Sequence, residues 1–174
     1  MANLSTVIGG EAVLAKLKAE LDKIEGKTVK GLILAAAFVR RETENTPPLT
    51  PVDLGNLRAS WFVATPTRFA KGGGTIPFKG PKASIMATEH SATISEAKGM
   101  VSGDPKKPGI VFGYSANYAL YVHENLGMHN PSSPYWMNRK KKWRPNSGPK
   151  WFQSALGTNT KKMAQIIADN AKIL

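Results

Sequence analysis

The side chains with the greatest chemical capacity in this chain are His123 and Glu124, with His129 six residues further on across Leu126-Gly127. Such groups could ligate a metal ion, which needs several His, Asp or Glu side chains converging on one point. Their spacing argues against it: adjacent residues do not face one another on a helix, and six is not a helical ligand spacing. A hydrogen-bonded structural histidine is the expectation, with no metal. His90 lies on an apolar stripe of helical period and reads the same way, as a satisfied, semi-buried residue. Gly72-Gly73-Gly74-Thr75 has the glycines of a phosphate loop but neither a following Lys-Ser/Thr nor a strand–loop–helix setting, so it reads as a plain loop. There is no Gly-x-Ser-x-Gly elbow and no evident carboxylate pair, and the absence of cysteine removes disulfides, thiolate zinc sites and a cysteine nucleophile. No catalytic residue and no cofactor is expected; a hydrolase using His123 and Glu124 is the weakest reading.

Binding chemistry is more evident than catalysis. Residues 135–151 interleave Tyr135, Trp136, Trp143 and Trp151 with Arg139, Lys140, Lys141, Lys142, Arg144 and Lys150. Cations suit a phosphate backbone and aromatics suit exposed bases. Trp and Arg are equally the residues that anchor protein interfaces. With no base-reading element or known nucleic-acid fold in view, a protein interface is the favoured alternative. The charge is one-sided: of a net +12, residues 1–125 contribute 15 Lys/Arg against 11 Asp/Glu, and residues 126–174 contribute 9 against Asp169 alone. That asymmetry favours a polyanionic partner, either nucleic acid or an acidic protein surface, although a solvated basic face accounts for it equally.

Helices and two short strands must position these groups. Leu14, Leu17, Leu21 and Ile24 recur at helical spacing over residues 10–25, and Gly26 is expected to end that helix. A second helix is expected over 28–44, apolar nearly all round from Leu32 to Val39 and therefore buried on several sides, until Pro47-Pro48 stops it. Residues 49–60 read as a turn into a short helix, with Asp53 as its N-cap and Gly55 at the tight backbone. Residues 61–65 and 110–114 have the aromatic and β-branched content of strands. Met86, His90, Ile94, Ala97 and Val101 mark a helix over 83–101, and 118–123 is helical or extended against the sheet. A last helix over 150–172 carries Phe152, Ala155, Leu156, Met163, Ile166, Ile167 and Leu174, interrupted at Gly157.

The fold class is therefore α+β: a small antiparallel sheet flanked by helices, with long N- and C-terminal helices. At 174 residues with 41% hydrophobic content, one domain covering 1–174 is expected, with long loops at 66–82 and 126–149. No apolar run approaches the ~20 residues of a membrane span. Met1-Ala2-Asn3-Leu4 does not open a secretion signal. A soluble protein is the expectation.

Three segments carry a family resemblance. Pro51-Val52-Asp53-Leu54-Gly55-Asn56-Leu57-Arg58-Ala59-Ser60 resembles the P-V-D-T-G-x-L-R-x-S signature of the head–tail joining and tail-completion proteins of long-tailed bacteriophages. Gly113-Tyr114 through Tyr118-Ala119-Leu120-Tyr121-Val122-His123-Glu124 resembles that family's G-x-x-x-x-Y-A-x-Y-V-x-x segment. Gly148-Pro149-Lys150-Trp151-Phe152-Gln153-Ser154-Ala155-Leu156 looks like its P-x-F-L-x-x-A-L entry to a C-terminal helix. Order and spacing agree over most of residues 10–174. Leu54 stands where the family has Thr, and the 126–149 insertion is long and basic.

The resemblance implies a virion protein, made in the host bacterial cytoplasm, that forms a ring at the phage neck. Such rings are typically hexamers, cap the tail tube, and dock on the head connector or stopper, with non-specific contact to DNA in the channel possible. Asp53, Leu57, Arg58 and the neighbouring motif residues would then act as structural and inter-subunit elements, and Trp136 through Trp151 would face a partner or DNA. The alternative is a basic nucleic-acid-binding protein without enzymatic activity.

Overall fold

The computed structural model describes residues 10–52, 54–66, 69, 76–101, 107–126 and 146–172, with side chains from residue 14 onward. In chain order the elements are α1 (Gly10–Asn45), α2 (Asn56–Ala59), β1 (Trp61–Ala64), α3 (Ala83–Met100), β2 (Val111–Tyr114), α4 (Ala119–Glu124) and α5 (Trp151–Ala171). The architecture is α+β, as expected: a two-stranded antiparallel sheet among helices, framed by a long helix near each end of the chain.

α1 is one helix of 36 residues, about 54 Å long at 1.5 Å per residue, where two were expected. Gly26 does not end it. A single mid-helix glycine costs roughly 1 kcal/mol, less than packing along a helix returns. The Phe69 ring lies over Gly26, 3.5 Å from where a Cβ would stand. Leu14, Leu17 and Leu21 of its leucine stripe are 66%, 56% and 47% exposed and take no part in the core. The apolar centre is buried on one side only: Val29, Ala35, Ala36 and Val39 are inaccessible while Leu34 faces out. Gly157 likewise fails to interrupt α5, which runs unbroken for 21 residues.

α1 and α5 pack antiparallel. Lys27 Nζ donates to the Lys172 carbonyl at 3.2 Å, and Gly31 lies beneath Ile167 and Asn170. A Cβ on Gly31 would stand 3.0 Å from the Ile167 carbonyl oxygen and 3.1 Å from its Cα. Gly31 thus sets the distance between two backbones, where a larger side chain would hold the helices apart.

The sheet pairs Trp61 with Tyr114, Phe62 with Gly113, Val63 with Phe112 and Ala64 with Val111. Alternation sends its side chains to two faces. On one, Trp61, Phe112 and Tyr114 meet Phe152 of α5 edge-on, with ring centroids 5.8–6.1 Å apart. On the other, Phe62 meets His90 of α3 at 6.4 Å. The expected α3 stripe is inward as predicted, with His90 and Ala97 buried.

These contacts predict opposite outcomes for two glycines. Gly31→Ala should destabilise the protein by about 1–3 kcal/mol, since the obstruction is helix backbone rather than a movable side-chain end. Gly157→Ala, with open space at its Cβ, should stabilise by about 0.5–1 kcal/mol. Melting curves decide; a Gly31→Ala protein as stable as the parent would contradict the helix packing described.

Candidate functional site

The first motif folds as a clamp between α1 and the rest of the chain. Thr50 donates its N–H at 2.7 Å and its hydroxyl at 3.0 Å to the Thr43 carbonyl in the last turn of α1. Leu49 N–H donates to Asn146 O at 2.8 Å, and Gly148 N–H donates back to Leu49 O at 3.1 Å. The strip before Pro51 is therefore held on both sides. Pro51 is buried and Val52 half-buried. Asp53, expected as the cap of α2, lies outside the described residues. Gly55 is the N-cap residue and makes no side-chain cap bond; its φ of +87° is the left-handed conformation that a Cβ disfavours. Asn56 fixes the facing loop, accepting from Lys79 N–H and donating to Lys79 O, both at 2.8 Å.

Beyond that turn, each residue has a structural task. Leu57 is buried. Arg58 pairs with Glu44 of α1. Ser60, fully buried, donates its hydroxyl to Leu57 O at 2.8 Å and accepts Ser115 N–H on its carbonyl at 2.9 Å. The partner of Arg58 thus lies within the chain, on α1, rather than on a neighbouring subunit.

The second motif alternates between core and surface. Ala119 and Val122 are buried and Tyr118 packs beside them, while Leu120 is 71% and Tyr121 53% exposed. His123 bonds Glu124 Oε1 through Nδ1 at 2.7 Å and accepts the Gln153 N–H on Nε2 at 3.3 Å. Both ring nitrogens are thus engaged, one of them by a first-turn N–H of α5 that would otherwise lack a partner. Lys150 and then His123 hold the Glu124 carboxyl below the usual carboxylate range through hydrogen bonds. Among the described residues no three His, Cys, Asp or Glu side chains form a metal-sized group; His129 lies outside them.

The third motif corrects one assignment. Trp151, expected to face a partner or DNA, is 1% exposed and lies in the core with its ring edge-on to His123 at 4.8 Å and Tyr114 at 6.1 Å. As the first residue of α5, it is directed inward where the helix meets the sheet. Lys150 is also occupied within the chain: it pairs with Glu124, gives its N–H to His123 O at 2.8 Å, and takes a left-handed φ of 60°. Pro149 is half-buried just before it, and Phe152 packs on the sheet. The remaining partner-facing candidates, Trp136, Arg139, Lys140, Lys141, Lys142, Trp143 and Arg144, lie outside the described residues.

All three motifs meet in one place. Leu57 of the first, Ala119 and Val122 of the second and Trp151 of the third form a single buried cluster with Ala116, against which Tyr114, Tyr118, Met86 and Phe152 pack. Sequence reading missed the residues that tie this cluster to α1, namely Thr43, Thr50 and Glu44. Beside it, Phe152, Leu156, Met163 and Ile167 line a shallow, largely apolar groove along α5 with His123 at one end. Among the described residues, no helix is long and apolar enough to cross a membrane. No family model, curated protein or solved structure matches the chain.

His90 sits apart from the cluster, 4% exposed, bonded through Nδ1 to Ser115 Oγ at 2.6 Å and enclosed by Phe62 and Phe78. Burial lowers its pKa below 6.5. As pH falls through 6.5, the unfolded chain takes up a proton that the folded chain refuses, so stability falls, and the loss stops once the folded ring itself protonates. Stability should therefore drop from pH 7 towards pH 5, and His90→Gln should flatten the slope over that range. Parallel slopes for parent and variant would exclude His90 as the cause.

Proposed function

We propose that this chain is a structural, non-enzymatic protein of a long-tailed phage particle, forming a ring at the neck that completes the tail and joins it to the head connector. The observation that carries the reading is the convergence of the three resembling segments, some 90 residues apart at their extremes, on one buried cluster. In this reading the signature residues Pro51, Gly55, Leu57, Arg58, Ser60, Tyr118 and Phe152 build a rigid unit, and their neighbours supply surfaces. Leu120 and Tyr121, turned outward between the buried Ala119 and Val122, are large apolar groups on a rigid helix, suited to a neighbouring subunit. The groups with most chemical capacity support the same view, since His123 and Glu124 hold α5 and Lys150 in place and both ring nitrogens of His123 are engaged within the chain.

The proposed neighbours are further copies of this chain, in a ring with hexameric symmetry the leading expectation, the connector or stopper of the head, and the tail tube or its terminator. Localisation in the virion follows. Electron microscopy of particles made without this protein tests the reading. DNA-filled heads and separate, finished-length tails are expected. Normal joined particles would overturn it.

A further inference from the structure

Four lysines of α1 share a side of the helix, while Lys18 and Arg40 lie elsewhere around it. From Lys16, the positions Lys23, Lys27 and Lys30 follow at 7, 11 and 14 residues, within about a tenth of a turn of two, three and four whole helical turns. All lie in one continuous helix, with Lys16, Lys23 and Lys30 exposed and Lys27 half-exposed. The row spans about 21 Å. Glu20, one turn from Lys16, interrupts it and pairs with Lys23 at 2.6 Å, and Lys27 Nζ donates to the Lys172 carbonyl at 3.2 Å, both exposed contacts that a phosphate would replace. Further along the same side stand Leu34 and Phe38, with Arg41 held over the Phe38 ring at 5.1 Å, so Arg41 is not counted in the row.

We infer that Lys16, Lys23, Lys27 and Lys30 form a sequence-independent binding site for the phosphate backbone of nucleic acid. Phosphates of one strand of a duplex advance about 3.4 Å each along the axis, so the row matches the extent of about six. Lysine is a strong point-charge binder of phosphate, whereas the cores of protein interfaces are depleted in lysine and enriched in Arg, Tyr and Trp. The four positions hold none of the forked Arg, Asn or Gln side chains that read base edges, so contact would fix position without reading sequence. The site lies on α1 and is distinct in sequence from the basic 139–144 segment, which lies outside the described residues. It also stands apart from the ring reading, because DNA binding by the free protein and assembly into rings are separate measurements.

The test is binding of the full chain to a short duplex of arbitrary sequence over a range of salt concentrations. Replacing all four lysines by Ala should weaken binding and reduce the slope of log affinity against log salt by about 3–4, since each phosphate contact contributes about 0.9. Lys98→Ala with Lys107→Ala, two exposed lysines off the row, should leave the slope unchanged, with circular dichroism confirming that every variant is folded. The inference is overturned if the parent does not bind duplex, or if the off-row pair lowers the slope as much per lysine as the row does. It is also overturned if only replacement of Lys140, Lys141 and Lys142 lowers the slope. Row-dependent capture of a polyglutamate peptide, with no row-dependent DNA binding, would assign the face to an acidic protein instead.

Discussion

Tyr114 is the point on which the structure depends. Its hydroxyl lies 2.9 Å from Thr43 Oγ1 at the end of α1 and 3.4 Å from Thr50 Oγ1 in the strip before Pro51. Its ring meets Trp61 across the sheet at 5.2 Å, Phe152 at 5.8 Å and Trp151 at 6.1 Å. One residue therefore couples α1, the first motif, the sheet and α5. The two threonines it touches are fully buried, and each already donates its hydroxyl to a backbone carbonyl, Thr43 to Arg40 O at 2.7 Å and Thr50 to Thr43 O at 3.0 Å, so Tyr114 closes a connected polar network that fixes the geometry apolar packing alone would leave loose.

From that junction the division of labour along the chain follows. Side chains of the three resembling segments that point inward make a cluster, and those that point outward, Leu120 and Tyr121 above all, are displayed on short rigid elements. The residues that look most reactive in the sequence serve the same framework: His123 caps α5 from a neighbouring helix, and Lys150 closes onto Glu124. α1 continues well past this framework. Residues 14–23 are exposed on every side, presenting leucines on one side and lysines on another.

The fold class, both strands, α3 and the inward position of Leu57 were legible from periodicity and residue type. The errors came where long-range packing outweighs local preference. Gly26 and Gly157 read as breaks because the local penalty of glycine is visible and the stabilising contact of α1 with α5 is not. Leu14, Leu17 and Leu21 mark the helix correctly, but amphipathicity reveals an apolar side without revealing whether anything covers it. Trp151 read as an interface anchor from its basic surroundings, although its place at the start of a helix turns it inward. The Arg58–Glu44 and Tyr114–Thr43 pairs, 14 and 71 residues apart, leave no local trace.

Tyr114 joins α1, the sheet and α5 into one unit. A double-mutant cycle of Tyr114→Phe with Thr43→Val, read by equilibrium unfolding, tests that joint most directly. A coupling of at least about 0.5 kcal/mol between the two changes is expected, as found for groups in one hydrogen-bonded network. Additivity of the two within about 0.3 kcal/mol would contradict it.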